Sequence, residues 1–116
     1  MEGKTIQRNI PISAKKGRRI IPHIKGKSVP EAETTLDYLP HRAARILKKC
    51  IHTAASNYKD KSEEIDLKDD DLYVKSVRID EGQKLKKIRP MSLRRAGLIR
   101  KRMSHITVIV DKIKEE

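Results

Sequence analysis

The chain has 116 residues, with 28 Lys+Arg against 16 Asp+Glu, for a net charge of +12. That length suits one domain with one modest core, and with aromatics at 3%, all of them Tyr, the core must be built from Ile, Leu, Val and Ala. One cysteine, Cys50, excludes an internal disulfide framework, and no apolar run reaches transmembrane length. Met1-Glu2-Gly3-Lys4 leads into alternating residues without an apolar signal core or an Arg/Ser-rich transit stretch, so a cytosolic or organelle-encoded soluble protein is expected. A pI near 10.0 favours a polyanionic partner, nucleic acid first and an anionic membrane second.

In chain order, residues 5–12 read as an extended segment, and Pro11 suggests an edge position. Ser13 is placed to cap a helix over 14–24 that carries Lys15, Lys16, Arg18 and Arg19; Gly17 and Pro22 should weaken or kink it, and Gly26 should stop it. Ser28 begins a second short helix, with Pro30 in its first turn and Glu31 as partner in a capping box. Pro40 opens the longest helix, to about Tyr58. Its apolar set (Ala43, Ala44, Leu47, Cys50, Ile51, Ala54, Ala55 and Tyr58) steps by threes and fours and marks the core face. Residues 59–71 read as a polar loop. A strand over 72–79 follows, then a turn or bulge at Asp80-Glu81-Gly82, and a final strand from Ser104 to Asp111 with Ile106, Val108 and Val110 on one face.

The charge is uneven along this order. Residues 1–27 carry +7, 28–83 carry −3, 84–103 carry +9 with no acidic residue, and 104–116 carry −1. A disordered basic arm usually sits at a terminus. This one is internal and bounded by strand patterns, so the simplest geometry is an antiparallel pair joined by a long basic hairpin. The expected organisation is a single domain over 1–116, with a globular body of 1–82 and 104–116 and an extended basic hairpin over 83–103.

Catalytic and metal chemistry find little support. Cys50 and His52 are two apart on a helix and point about 200° apart, and His23, His41 and His105 add no ligand spacing. Asp69, Asp70 and Asp71 lack the glycine of a calcium loop, and no phosphate-loop or nucleophile motif occurs. No metal, no cofactor and no enzymatic activity are expected. For the basic segment three readings stand: an amphipathic membrane-surface helix, interrupted by Pro90 and Gly97; a DNA-reading helix-turn-helix, for which the exposed Arg42, Arg45, Lys48 and Lys49 make a poor recognition helix; and a phosphate-binding arm threaded into folded RNA. High Lys/Arg density with few aromatics favours backbone and shape contacts.

Residues 78–110 carry something more specific. Asp80-Glu81-Gly82, Leu85-Lys86-Lys87, Pro90, Arg95-Ala96, Ile99, Lys101-Arg102 and Ser104-His105-Ile106-Thr107-Val108 closely resemble the signature of the bacterial-type large-subunit ribosomal protein twenty-two family. Ile12-Ser13, Lys16, Arg18, Ile24, Lys25-Gly26-Lys27, Ala43-Ala44, Lys48-Lys49 and Asp70-Asp71-Leu72 agree, so the resemblance covers essentially the whole chain. It implies an α+β fold, three helices packed on a small three-stranded antiparallel sheet with a long protruding basic β-hairpin. It also implies a structural constituent of the large ribosomal subunit that binds large-subunit (23S-type) rRNA, supports assembly and lines the nascent-peptide exit tunnel with its hairpin tip. The implied partners are that rRNA, neighbouring large-subunit proteins and the nascent peptide, with no membrane and no homo-oligomer. The implied location is the cytoplasmic ribosome of a bacterium, a plastid-encoded source being still open.

By the same resemblance Lys16, Arg18, Lys25 and Lys27 are rRNA contacts of the first-helix region, and Lys86, Lys87, Arg95, Lys101 and Arg102 match basic hairpin positions. His105 matches the family strand, and whether it touches RNA or packs stays open. Lys15, Arg19, Lys84, Arg89, Arg94 and Arg100 join the rRNA-binding set on charge. The tunnel-lining tip is Arg89, Pro90, Met91, Ser92, Leu93 and Arg94. The chain departs from the family there, since Arg94 stands where a tip glycine is usual, and a turn needing positive φ would be strained. The runner-up reading is a free basic protein that binds DNA or an anionic membrane.

Overall fold

A computed structural model of the chain describes residues 2–62, 67–91 and 95–113. β1 (Gly3–Ile10), β2 (Leu72–Met91) and β3 (Arg95–Lys112) form one antiparallel sheet in the order β1-β3-β2. The central strand is the one whose sequence alternates best. Ile106, Val108 and Val110 are fully buried on one face, while His105, Thr107 and Ile109 lie half-buried on the other. Strand β1 occupies an edge, as the position of Pro11 suggests, although it runs two residues earlier than 5–12.

Irregular pairing lets β2 keep its apolar residues inward. They sit at even positions in Leu72 and Val74 and at odd positions in Val77 and Ile79. A one-residue slip would send every later side chain to the wrong face. The register shift between Val74 and Ser76 absorbs that slip. A second shift, between Glu81 and Lys84, sets Gly82 and Gln83 opposite Met103 alone, which is the bulge expected at Asp80-Glu81-Gly82.

Three helical segments pack on the inner face of the sheet. The first differs from a single helix over 14–24: it is two short pieces, α1 (Ala14–Arg18) and α2 (Ile21–Ile24). The chain turns at Arg19-Ile20 to drive Ile20 into the core, where it is 1% exposed. Pro22 then lies in the first turn of α2, where its missing N–H costs nothing. Gly17 does more than weaken α1. A Cβ there would stand 2.9 Å from Ile79 Cδ1, so glycine lets α1 seat on β2. Gly26, at φ +82, ends the segment as expected.

The two serine caps are corrected by the structure. Ser13 and Ser28 occupy the N-cap positions of α1 and α3 (Val29–Tyr38), but neither side chain makes a capping hydrogen bond. Ser28 instead forms a β-bridge with Tyr73, and the peptide beside it pairs with β2: the Gly26 amide donates to the Val74 carbonyl and the Val74 amide to the Lys27 carbonyl, both at 2.9 Å. The last helix, α4, spans Arg42–Lys61, so Pro40 stays outside it and residues 59–61 are helical rather than loop. All eight residues of its anticipated apolar stripe are buried. Asp69–Asp71 form a short 3-10 turn before β2. Among the described residues no helix is long and apolar enough to cross a membrane, and no buried side-chain nitrogen or oxygen lacks a partner.

The β2–β3 ladder does not stop with the three-stranded sheet. The last β1 pair is Ile10 with Ser104, and beyond it β2 and β3 continue as a pair from Lys84/Arg102 to Met91/Arg95. The principal extents are 66 × 26 × 19 Å with a radius of gyration of 17.5 Å, against about 13 Å for a compact chain of this length.

Candidate nucleic-acid interface

Partners in an antiparallel ladder share a face, and successive pairs alternate. In the ribbon the pairs Lys84/Arg102 and Lys86/Arg100 therefore lie on one face, two cations opposite two cations, with Leu85/Lys101 between them on the other. Lys84, Lys86, Arg100, Lys101 and Arg102 are all exposed. Like charges directly opposite destabilise a strand pair. Several described acids hold other cations, Asp37 with Lys48, Asp69 with Lys59, Glu2 and Asp111 with Lys75, and Asp80 with Arg78, and Glu81, the acid nearest Lys84 along β2, is exposed and forms no ion pair with the described ribbon cations. Among the described residues none of those five ribbon cations has an acidic partner. Further out, Lys87 pairs with Ile99, Arg89 with Gly97, Pro90 with Ala96, and Met91 with Arg95. Pro90 is tolerated because β2 is an edge strand. Ser92, Leu93 and Arg94, and with them the expected strain at Arg94, lie outside the described residues.

The α1 cations attach at the root of this ribbon. Lys15, Lys16, Arg18 and Arg19 are exposed, and Arg18 donates its Nε to the Ile79 carbonyl at 3.0 Å, on the outer edge of β2. That bond holds α1 beside the strand and leaves the rest of the guanidinium outward. Ser104 locks the same junction: its hydroxyl, fully buried, donates to the Ile12 carbonyl at 2.6 Å. Lys25 and Lys27 lie further from the ribbon, near Val74, about five residues or 15 Å back along β2. Lys25 is exposed, whereas Lys27 is half-buried with its Nζ 3.5 Å from Thr35 Oγ1. The structure thus gathers the α1 and ribbon cations at one end and sets Lys25 and Lys27 apart.

His105 has an internal partner. Its Nδ1 accepts the Asn9 amide at 3.2 Å, and its ring lies over Gly82, where a Cβ would come 3.1 Å from Nε2. Asn9 needs that help, because it sits at φ 58 in a break of the β1 register. The imidazole therefore braces the bulges on both flanking strands. Nothing in the sequence pattern marked Asn9, whose role comes from a contact 96 residues away.

Comparison with known proteins decides the lineage. The profile of the ribosomal protein L22p/L17e family matches residues 5–111. The chain belongs to that family. It is similar to the large ribosomal subunit protein uL22 of Halothermothrix orenii, 36% identical over 115 residues with 99% of each chain covered. It is also similar to that of Thermus thermophilus, 42% identical over 110 residues with 95% of each covered. L22p/L17e members are structural proteins of the ribosome, not enzymes.

Proposed function

We propose that this protein is a structural constituent of the large ribosomal subunit, located with the ribosome in the cytoplasm, and that its ribbon and α1 cations bind large-subunit rRNA. The observation carrying the reading is the pair of opposed cations, Lys84/Arg102 over Lys86/Arg100, without an acidic ion-pair partner among the described residues. A polyanion threading past that face relieves the repulsion the ladder builds in, and phosphates are the anions that arrive in regular series. Lys87 and Arg95, which match basic hairpin positions of the family, and Arg89 and Arg94, on charge alone, extend the binding set. Lys25 and Lys27 form a second, weaker contact near α2.

The chain works as one domain, a body of 1–82 and 104–116 with the ribbon of 83–103 as a projecting arm. The arm reaches into rRNA and its tip, residues 89–94, lines the nascent-peptide exit tunnel; neighbouring large-subunit proteins flank the body, and no homo-oligomer forms. Sucrose-gradient sedimentation of a lysate, followed by a wash at about 0.5–1 M salt, tests this. Exposed contacts lose affinity steeply with salt, so retention on the large subunit indicates an arm interlocked with RNA. Early loss of the protein, or its absence from the large-subunit peak, refutes the proposal and returns the basic ladder to a free DNA- or membrane-binding role.

A further inference from the structure

A second candidate lies on the helical layer of the body, where sequence reading assigns no site. An open groove runs between the end of α3 and the first half of α4, lined by Tyr38, Arg42, Arg45 and Lys49 among others. Tyr38 is the last residue of α3 and is 84% exposed, the most exposed of the large apolar side chains among the described residues. Its ring takes no part in the core. Arg42, Arg45 and Lys49 follow at steps of three and four along α4, so they share one helix face, and all three are exposed.

The groove also carries two acids, of which Asp37 is engaged. Asp37 accepts from Lys48 at 2.7 Å, and Glu33 stands 3.9 Å from His52 Nδ1. Among the described residues Arg42, Arg45 and Lys49 have no acidic partner. An aromatic face standing free beside three unpaired cations is the pairing that single-stranded nucleic acid requires, with a π-surface for a base and positive charge for the flanking phosphates. A duplex fits poorly, because its base faces are covered by their neighbours. An acidic peptide would use the cations and leave the ring idle.

We infer that this groove holds an unstacked nucleotide of a single-stranded rRNA segment, its base stacked on Tyr38 and its flanking phosphates on Arg42, Arg45 and Lys49. This rests on the rRNA-binding reading above but uses a surface separate from the ribbon. The contact is distinct in kind as well: the described ribbon cations offer charge alone, whereas the groove offers charge and a stacking platform.

The two readings separate in one experiment. Large subunits are purified from cells whose protein carries p-benzoylphenylalanine in place of Tyr38, or in place of Lys86 as a ribbon control, and are irradiated. RNA crosslinked at both positions is the expected result. RNA at position 86 with protein alone, or nothing, at position 38 overturns the groove inference and leaves the ribbon reading standing. No RNA at either position overturns both. A titration of the purified full chain with a labelled single-stranded RNA of about twelve nucleotides supplies the second measure, in a background where Lys84, Lys86, Arg100 and Arg102 are alanine. There Tyr38→Ala should lower affinity roughly tenfold while Tyr38→Phe preserves it, and Arg42→Ala with Arg45→Ala should reduce the salt slope by about 1.4. Equal affinity for Tyr38→Ala and the parent overturns the inference.

Discussion

Reversing two charges in the ribbon should pull stability and RNA binding in opposite directions. Lys84 and Lys86 stand opposite Arg102 and Arg100, so Lys84→Glu with Lys86→Glu turns two like-charge cross-strand pairs into two opposite-charge pairs. Each exchange is worth about 0.5–1 kcal/mol on an exposed ladder, so opening of the free ribbon should cost about 1–2 kcal/mol more. Read by amide hydrogen exchange in the free protein at low salt, residues 84–88 should exchange roughly 5–30 times more slowly. Binding to large-subunit rRNA moves the other way. Two lost phosphate contacts reduce the slope of log affinity against log salt by about 1.5, and the new carboxylates repel what remains. Lys59→Glu with Lys61→Glu is the control, since it makes the same change in net charge at the end of α4; it should leave the slope nearly untouched. Faster ribbon exchange in the reversed variant would show that the like-charge pairs do not oppose each other. Equal loss of RNA affinity in both variants would show that net charge, rather than the ribbon, drives binding.

The body yields three further expectations. Gly3→Ala would place a Cβ 2.4 Å from the Ala54 carbonyl oxygen and 2.6 Å from Tyr58 Cβ; forcing β1 off α4 should cost about 1–3 kcal/mol and lower Tm by at least about 4 °C, and an unchanged Tm would mean the two elements are not in contact there. Ser104→Ala leaves the Ile12 carbonyl without its 2.6 Å donor in a buried site; a urea titration should show a loss of about 1–3 kcal/mol, and a neutral result would mean water takes the vacated place. Burial pushes the Cys50 thiol up to about 11 from its ordinary 9.0. The folded state thus keeps that proton over a range where the unfolded chain has released it, so the thiol's contribution is fully present below pH 9 and is lost as pH rises towards 11. The loss is on the order of 2 kcal/mol, and denaturant midpoints of Cys50→Ala should lack this part of the alkaline decline; parallel pH curves for the two proteins would refute it.

What could be read from the residues alone follows which interactions are local. The α4 stripe was legible in full because helical burial repeats every three to four residues within one segment. The β3 alternation was legible for the same reason with a period of two. The caps at Ser13 and Ser28 read wrongly because a hydroxyl at an N-cap position is only an opportunity. At Ser28 the chain is drawn to the edge of β2 instead, a partner far along the sequence. The ribbon was legible as a basic hairpin from its charge, its flanking strands and the family resemblance, but not from any strand pattern of its own: Lys, Arg and Pro90 are poor strand signals, and only pairing with the opposite arm makes 84–91 extended. For the candidate site, the ribbon and α1 cations were legible as residues, while their convergence at one end depends on the Arg18–Ile79 bond. Tyr38 carried no pattern of its own and gains meaning only from the groove around it.

The division between body and ribbon explains why such a ladder persists in a folded protein. The buried core runs from Ile12 to Val110, and among the described side chains of 84–103 none joins it: Leu85 is 42% and Ile88 77% exposed. A two-stranded ribbon without a packed face is marginal in water, and opposed cations weaken it further. Stability therefore resides in α4, the sheet and the Ser104 junction, and the ribbon contributes almost none of it. That frees its sequence to suit a partner instead. A ligand that binds only the paired, extended form stabilises it by mass action in proportion to its own affinity. Phosphates placed along the Lys84/Arg102 and Lys86/Arg100 face would do so while removing the repulsion that opposes pairing. Order in the ribbon and binding to RNA are then one equilibrium, and the body's task is to present the two strands in register at the bulge where the three-stranded sheet ends.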